Sequence, residues 1–318
     1  MKDDGDWFEV DDAEPGRDRV LLGAERLPRQ PAEDRSARDD VHPTPGEPAA
    51  GGSAAAGSFV RRLTLAVTFL TGIPLPVKGH VSPADLWRSM GWYPLVGLAL
   101  GAAAWGVYAG LLELLPSFVA AVLVVLLLES VTRGLHMDGL MDTADGVLSG
   151  APRERALEIM RDSNVGAMGV VAAVLILILK VAALGALTRA AAAAPLLAGW
   201  CAARALPAVD VYAWPYARAA GTGEAFTRER TIGPVMMAGW LLLGGVVVAG
   251  LVGLAADAAG TWSSGLVIAV VAMGVALLVQ AAVAKRLGGL TGDVYGMGIE
   301  LAEAAALVVG CAIVKLAG

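Results

Sequence analysis

Seven stretches of this chain, residues 92–112, 116–132, 165–187, 195–211, 233–256, 262–284 and 299–317, are apolar over about the 17–25 residues that a helix needs to cross a bilayer. In hydrocarbon each backbone N–H and C=O must find its partner without water, so runs of this length fold as helices. The chain is therefore read as all-α, a polytopic integral membrane helical bundle of about seven spans. The 195–211 run is the weakest, because Arg204 and Pro207 interrupt it. An eighth run, LTLAVTFLTGIPLPV at 63–77, is shorter and ends in Pro74 and Pro76; beside Arg61 and Arg62 it reads as an interfacial or half-inserted helix. A hydrophobic content of 56% agrees, since soluble domains hold roughly 45–50%.

The formal charge of −6 belongs to one end of the chain. Residues 1–58 carry 14 acids against 7 bases, whereas 59–318 carry 16 acids and 17 bases. Rich in Pro, Gly and charge, residues 1–58 cannot bury enough apolar surface to offset the entropy of ordering, and are expected to be a disordered acidic tail. The tail lacks a basic start followed by an apolar core, so it does not read as a secretory signal. Residues 59–318 form the membrane-embedded domain. Cys201 and Cys311 each lie in an apolar run without metal-ligand spacing, which points to packing.

Alternate crossing of the seven spans puts 78–91, 133–164, 212–232 and 285–298 on one side. That side holds Lys78, Arg88, Arg133, Arg153, Arg155, Arg161, Arg218, Arg228, Arg230, Lys285 and Arg286, against Arg189 in the opposite connections. Lys/Arg excess marks the cytoplasmic face.

The same side carries GLHMDGLMDTADGVLSG at 134–150. At about 100° per residue, Asp138, Asp142 and Asp145 fall within roughly 60° of one another on a helix. An Asp at bilayer depth costs roughly 3 kcal/mol, so this stripe must meet water, a cation or a cleft. Carboxylates without a His/Cys cluster suit Mg²⁺, or Mn²⁺, which commonly uses one or two protein carboxylates plus substrate phosphates. Such a site supports metal-assisted phosphoryl transfer. Asp162 is a candidate fourth carboxylate, with Glu158 on its helix face. His136, about 200° from Asp138, is a candidate base or phosphate donor. Arg133, Arg161, Arg204 and Arg218 are candidate phosphate clamps. Gly139, Gly146, Gly166 and Gly169 would let backbone approach a phosphate or another helix. Further along, Asp293 reads as part of a Gly-rich turn, and Glu300 and Glu303 as a site-lining pair at the start of the last span.

These blocks, with RERALEIMRDSNVGAMGV, PYARAAGTG and LGGLTGDVYGMGIELAE and the earlier VTFLTGIPLPV and YPLVGLALG, resemble the signature blocks of the cobalamin synthase (adenosylcobinamide-GDP ribazoletransferase) family from about residue 62 to the end. The resemblance implies an Mg²⁺-dependent membrane transferase in which the ribose 5′-hydroxyl of α-ribazole, or of its 5′-phosphate, attacks adenosylcobinamide-GDP and expels GMP. It implies Asp138, Asp142, Asp145 and Asp162 as metal-site acids, Asp145 and Asp162 serving catalysis with His136. Arg133 would flank them, and Asp293 and Glu300 would complete the cleft. The motif does not divide the acids between metal ligand and base. The partners implied are the two substrates and membrane lipid, with no nucleic acid and an oligomer compatible. The expected location is a bacterial or archaeal cell (inner) membrane with the active face cytoplasmic. A CDP-alcohol phosphotransferase is the alternative enzyme, but its Asp pattern is not matched by DGLMDTADG followed by LSGAPRER. An ion transporter would need polar residues at midplane in several spans. The centres of 116–128 and 240–255 are almost purely aliphatic.

Overall fold

The computed structural model describes residues 51–317 apart from 78, 219–223, 228–229 and 256–260. The expected tail lies outside the described residues as far as residue 50. The helices are α1 (Gly51–Thr71), α2 (Pro83–Met90), α3 (Tyr93–Leu111), α4 (Ser117–Val131), α5 (Leu135–Leu148), α6 (Arg153–Ile159), α7 (Ala167–Gly185), α8 (Arg189–Ala194), α9 (Trp200–Ala213), α10 (Ile232–Ala255), α11 (Thr261–Leu287) and α12 (Gly292–Ala317). A π-helical turn, Pro195–Gly199, joins α8 to α9, and a 3₁₀ turn spans Glu224–Thr227. Among the described residues the only β pairing is an isolated bridge between Tyr216 and Leu290.

Six segments are long and apolar enough to cross a membrane: α3, α7, the continuous run Arg189–Ala213, α10, α11 from Ser263, and α12. The run through α8 and α9 is 89% buried, against 56% or less for the other five. It is the central helix of the bundle, which explains how it accommodates Arg204 and Pro207: neither faces lipid. The seventh expected span is bent. α4 and α5 meet at 88°, and two successive left-handed residues, Arg133 (φ 54°) and Gly134 (φ 66°), make the corner. Gly185, at the end of α7, stands against Phe118 at the start of α4, while Gly169, near the start of α7, meets Met141 and Asp145 of α5. α4 thus returns along α7 to the face where α7 begins, and α5 turns aside there. α1 is shorter in its apolar run than the spans, and buries Leu65, Ala66 and Leu70 against the bundle.

The last span begins earlier than its hydropathy suggests. Thr291 accepts from the Val294 N–H through its hydroxyl and from the Tyr295 N–H through its carbonyl, so TGD is a helix cap and α12 starts at Gly292. Glu300 and Glu303 therefore lie more than two turns into the helix. There the Lys180 ammonium, midway along the bundle on α7, donates to Glu129 (3.2 Å), Glu300 (2.6 Å) and Glu303 (2.6 Å). The Arg204 guanidinium pairs with the other oxygen of Glu303. Lys180, Arg204, Glu300 and Glu303 are each 3% exposed or less, so these charges are stable only as a set.

Removing one member of such a set leaves an uncompensated buried charge, at a cost of about 3–5 kcal/mol. Lys180→Met should lower the thermal unfolding midpoint in detergent sharply. Adding Glu300→Gln should restore part of the loss. A double variant whose two effects simply add would show that the pair is not coupled.

Candidate active site

The site is built where α5 crosses α12. A methyl group on Gly139 would stand 2.6 Å from the Asp293 carbonyl oxygen, and one on Gly296 would stand 3.2 Å from the His136 Cα and carbonyl oxygen. Glycine at 139 lets the two backbones meet, with a Cβ at 296 tight but less severe, and that contact sets His136 and Asp138 of α5 beside Asp293 and Tyr295 of α12. Gly139 thus serves helix approach, one of the two roles its position suggested.

Asp293, in the first turn of α12, accepts from Arg218 at 2.7 Å. The same Arg218 nitrogen donates to the Met160 carbonyl at 3.2 Å. Arg218 is placed by a short paired segment: Ala217 N–H donates to the Leu290 carbonyl and Leu290 N–H to the Pro215 carbonyl. Arg153 pins this segment to the end of α11 by donating to the carbonyls of Leu287 (2.6 Å) and Ala217 (2.9 Å). The charges of Asp138 and Asp293, with that of Arg218, all bear on Asp142. Exposure falls along α5, with Asp138 exposed, Asp142 half-buried and Asp145 buried.

Beside the acids lies a cavity of about 300 Å³. Phe69, Tyr93, Phe226 and Tyr295 supply aromatic walls, and His136, Asp138 and Asp293 are its polar side chains of formal charge or titratable character. His136 is 3% exposed, and neither ring nitrogen has a partner.

Several expected site residues lie elsewhere. Asp145 points toward the start of α7, where its carboxylate accepts the N–H groups of Gly166 (2.7 Å) and Gly169 (2.8 Å). It occupies the electropositive end of that helix, and both glycines leave room for its oxygens. Two of the roughly four lone-pair sites of its carboxylate are taken by this cap, and its charge also bears on Asp142. Asp162 is exposed and accepts from its neighbour Asn164, through both the backbone N–H and the side-chain amide; these hold its carboxyl below the usual range. Of the four arginines, Arg218 is the one seen paired with a cleft carboxylate, Asp293. Arg204 is buried against Glu303, Arg133 packs over Gly72, and Arg161 is exposed in the turn after α6. Glu300 and Glu303 belong to the buried ion set, because the early start of α12 carries them below the cleft. Lys180 and Glu129 were not singled out in the sequence, although a lone Lys within LILILKVAALG was a usable signal, since an unpaired charge there is costly. Asp210, fully buried with Gln280 at 2.7 Å, was missed for the same reason.

The oxygen donors here are of the type a hard divalent cation takes. Asp293 is paired with Arg218, and the charges of Asp138, Asp293 and Arg218 all act on Asp142. No three His, Cys, Asp or Glu side chains among the described residues close on one point at metal-holding distance. Mg²⁺ commonly takes only one or two protein carboxylates and completes its shell with phosphate and water, so Asp138, Asp142 and Asp293 are candidate ligands that would need substrate to complete the site.

The profile of the cobalamin-5-phosphate synthase family matches residues 62–311. A Desulfitobacterium hafniense (strain Y51) protein named adenosylcobinamide-GDP ribazoletransferase is 40% identical over 255 residues, covering 77% of this chain and 94% of that one. Proteins of the same name from Brevibacillus brevis and Pseudomonas entomophila are 39% and 36% identical, each over 77% of this chain and over 95% and 96% of their own length. No solved structure matches.

Hydrogen bonds to a charged acceptor contribute about 1.5–3 kcal/mol. Asp145→Ala should therefore lower the unfolding midpoint by several degrees, while Asp138→Asn and Asp142→Asn leave it nearly unchanged. Equal midpoints for all three variants would remove the capping role of Asp145.

Proposed function

This chain belongs to the cobalamin-5-phosphate synthase family, and from that premise we infer how its cleft works. The chain is a transferase of cobalamin biosynthesis: it joins α-ribazole, or α-ribazole 5′-phosphate, to adenosylcobinamide-GDP with release of GMP, the final step of nucleotide-loop assembly. The family's description corrects one expectation. Its product carries a 5-phosphate, and an esterified 5′-oxygen cannot attack, so the nucleophile is a secondary ribose hydroxyl.

The observation that carries the mechanism is the placing of Asp138, Asp293 and His136 on one cavity, with Asp142 near enough to feel the charges of both acids. The bond formed joins the ribose oxygen to the phosphorus on the cobinamide side of the pyrophosphate; the bond broken is that from this phosphorus to the bridging oxygen, which leaves with GMP. His136 presents two unpartnered ring nitrogens, and in the neutral imidazole one of them can accept the hydroxyl proton. Asp138 and Asp142 would hold Mg²⁺, whose chemistry there is to neutralise the pyrophosphate and the charge that develops on the leaving oxygen. Arg218 fixes the Asp293 carboxylate by a charge-assisted hydrogen bond.

Asp142→Asn keeps size and hydrogen bonding but loses the charge a hard cation needs. Since a transition-state charge contact contributes about 3–4 kcal/mol, GMP release should fall on the order of 100-fold with the protein still folded. Near-normal turnover with an unchanged Mg²⁺ requirement would sink the assignment.

The cleft opens on the face rich in Lys and Arg, which we place in the cytoplasm, with the chain multi-pass in the cell membrane. In a background lacking Cys201 and Cys311, an impermeant thiol reagent applied to intact cells should modify Leu114→Cys and spare Ser149→Cys. The reverse pattern would invert the topology.

A further inference from the structure

The chain must handle two substrates of very different size: a corrinoid carrying a guanosine diphosphate, and a small nucleoside. We propose that the aromatic cavity beside the acids is the seat of the nucleoside, holding the flat base of α-ribazole inward with its ribose turned toward Asp138 and Asp293. This rests on the transferase reading and extends it to which substrate enters, and in which orientation.

Three observations carry it. The cavity is about 300 Å³, the lower limit of the roughly 300–1,000 Å³ usual for small-molecule sites; a corrin macrocycle with its amide arms exceeds that size, so the corrinoid must stay outside. The walls suit a planar ring. Phe69 packs nearly parallel on Tyr93, at 15° and 5.9 Å between centroids, and Phe226 meets Phe69 edge-on at 5.4 Å, so a flat base would lie against this aromatic cluster and not between its rings. Lastly, away from Asp138 and Asp293 the lining is largely apolar, with Leu70, Met90, Pro207 and Ile299 among it. Guanine brings a full edge of donors and acceptors, and burying them without partners is costly. A benzimidazole brings one free ring nitrogen. The lining has partners for that much: the Tyr93 and Tyr295 hydroxyls are buried without one. The carboxylates that line the same cavity, Asp138 exposed and Asp293 half-buried, mark its wet end, so the hydroxylated sugar faces the phosphate chemistry.

The test uses the full chain in lipid nanodiscs and α-ribazole as probe, first without adenosylcobinamide-GDP or Mg²⁺, then in steady-state turnover. Wild type should bind α-ribazole saturably. Phe226→Ala should weaken that binding, and raise KM for α-ribazole, on the order of 10-fold, with KM for adenosylcobinamide-GDP changed less than twofold. Phe226→Leu, which keeps apolar volume but loses the ring face, should fall between them, and serves if the alanine variant does not fold. Excess GMP should not displace α-ribazole. Displacement by GMP, a variant that raises KM for adenosylcobinamide-GDP instead, or α-ribazole binding unaffected by either substitution would each overturn the proposal while leaving the transferase reading intact. A wild-type protein that binds α-ribazole with this variant pattern yet releases no GMP would support the cavity assignment and sink the transferase reading.

Discussion

The close crossing of α5 and α12 is the contact on which the rest of the site depends. With glycine at 139 and 296 the two backbones touch, and the side chains on either side of each glycine are forced into one space: His136 and Asp138 from one helix, Asp293 and Tyr295 from the other. A side chain at 139 would force the helices apart and, with them, the acids, and one at 296 would crowd the same contact. The 88° corner at Arg133 and Gly134 is the complementary requirement, since a straight continuation of α4 would carry α5 away from the start of α12.

Beneath this crossing the bundle is held by charges rather than by apolar packing alone. Glu129, Lys180, Arg204, Glu300 and Glu303 come from four helices, α4, α7, α9 and α12. In a medium of low dielectric constant the set fixes the relative register of these helices, because any slide by one turn would separate opposite charges that have no water to turn to. Registry of α12 is what delivers Asp293 to the cleft. The acids inside the membrane therefore position the acids at its face, and the Asp145 cap on α7 does the same for the third helix packed against α5.

Of the residues expected at the site, those set by local pattern kept their neighbours. The α5 stripe is helical as its spacing implies, and Asp138 and Asp142 share a field with Asp293. What local pattern could not reveal was direction. Asp145 lies on the stripe, but the start of α7 claims it, and nothing within 134–150 announces a partner about 20 residues away. Arg204 and Glu300 sit in apolar context like the rest of their spans; whether a buried charge lines a cleft or pairs across the core depends on which helix lies opposite.

By itself the sequence determined that the chain is a membrane bundle, where most of its helices lie, which face gathers the positive charge, and which short blocks carry acids. These follow from transfer energies and helical periodicity, which act over tens of residues and need no knowledge of neighbours. Tertiary structure decided which acids meet, which are spent on a helix end or an ion set, and that an aromatic cavity of nucleoside size opens beside them. Phe69, Tyr93, Phe226 and Tyr295 come from segments spread over more than 220 residues, and only the packing of helices against one another, a matter of distance in space and not along the chain, brings their rings together.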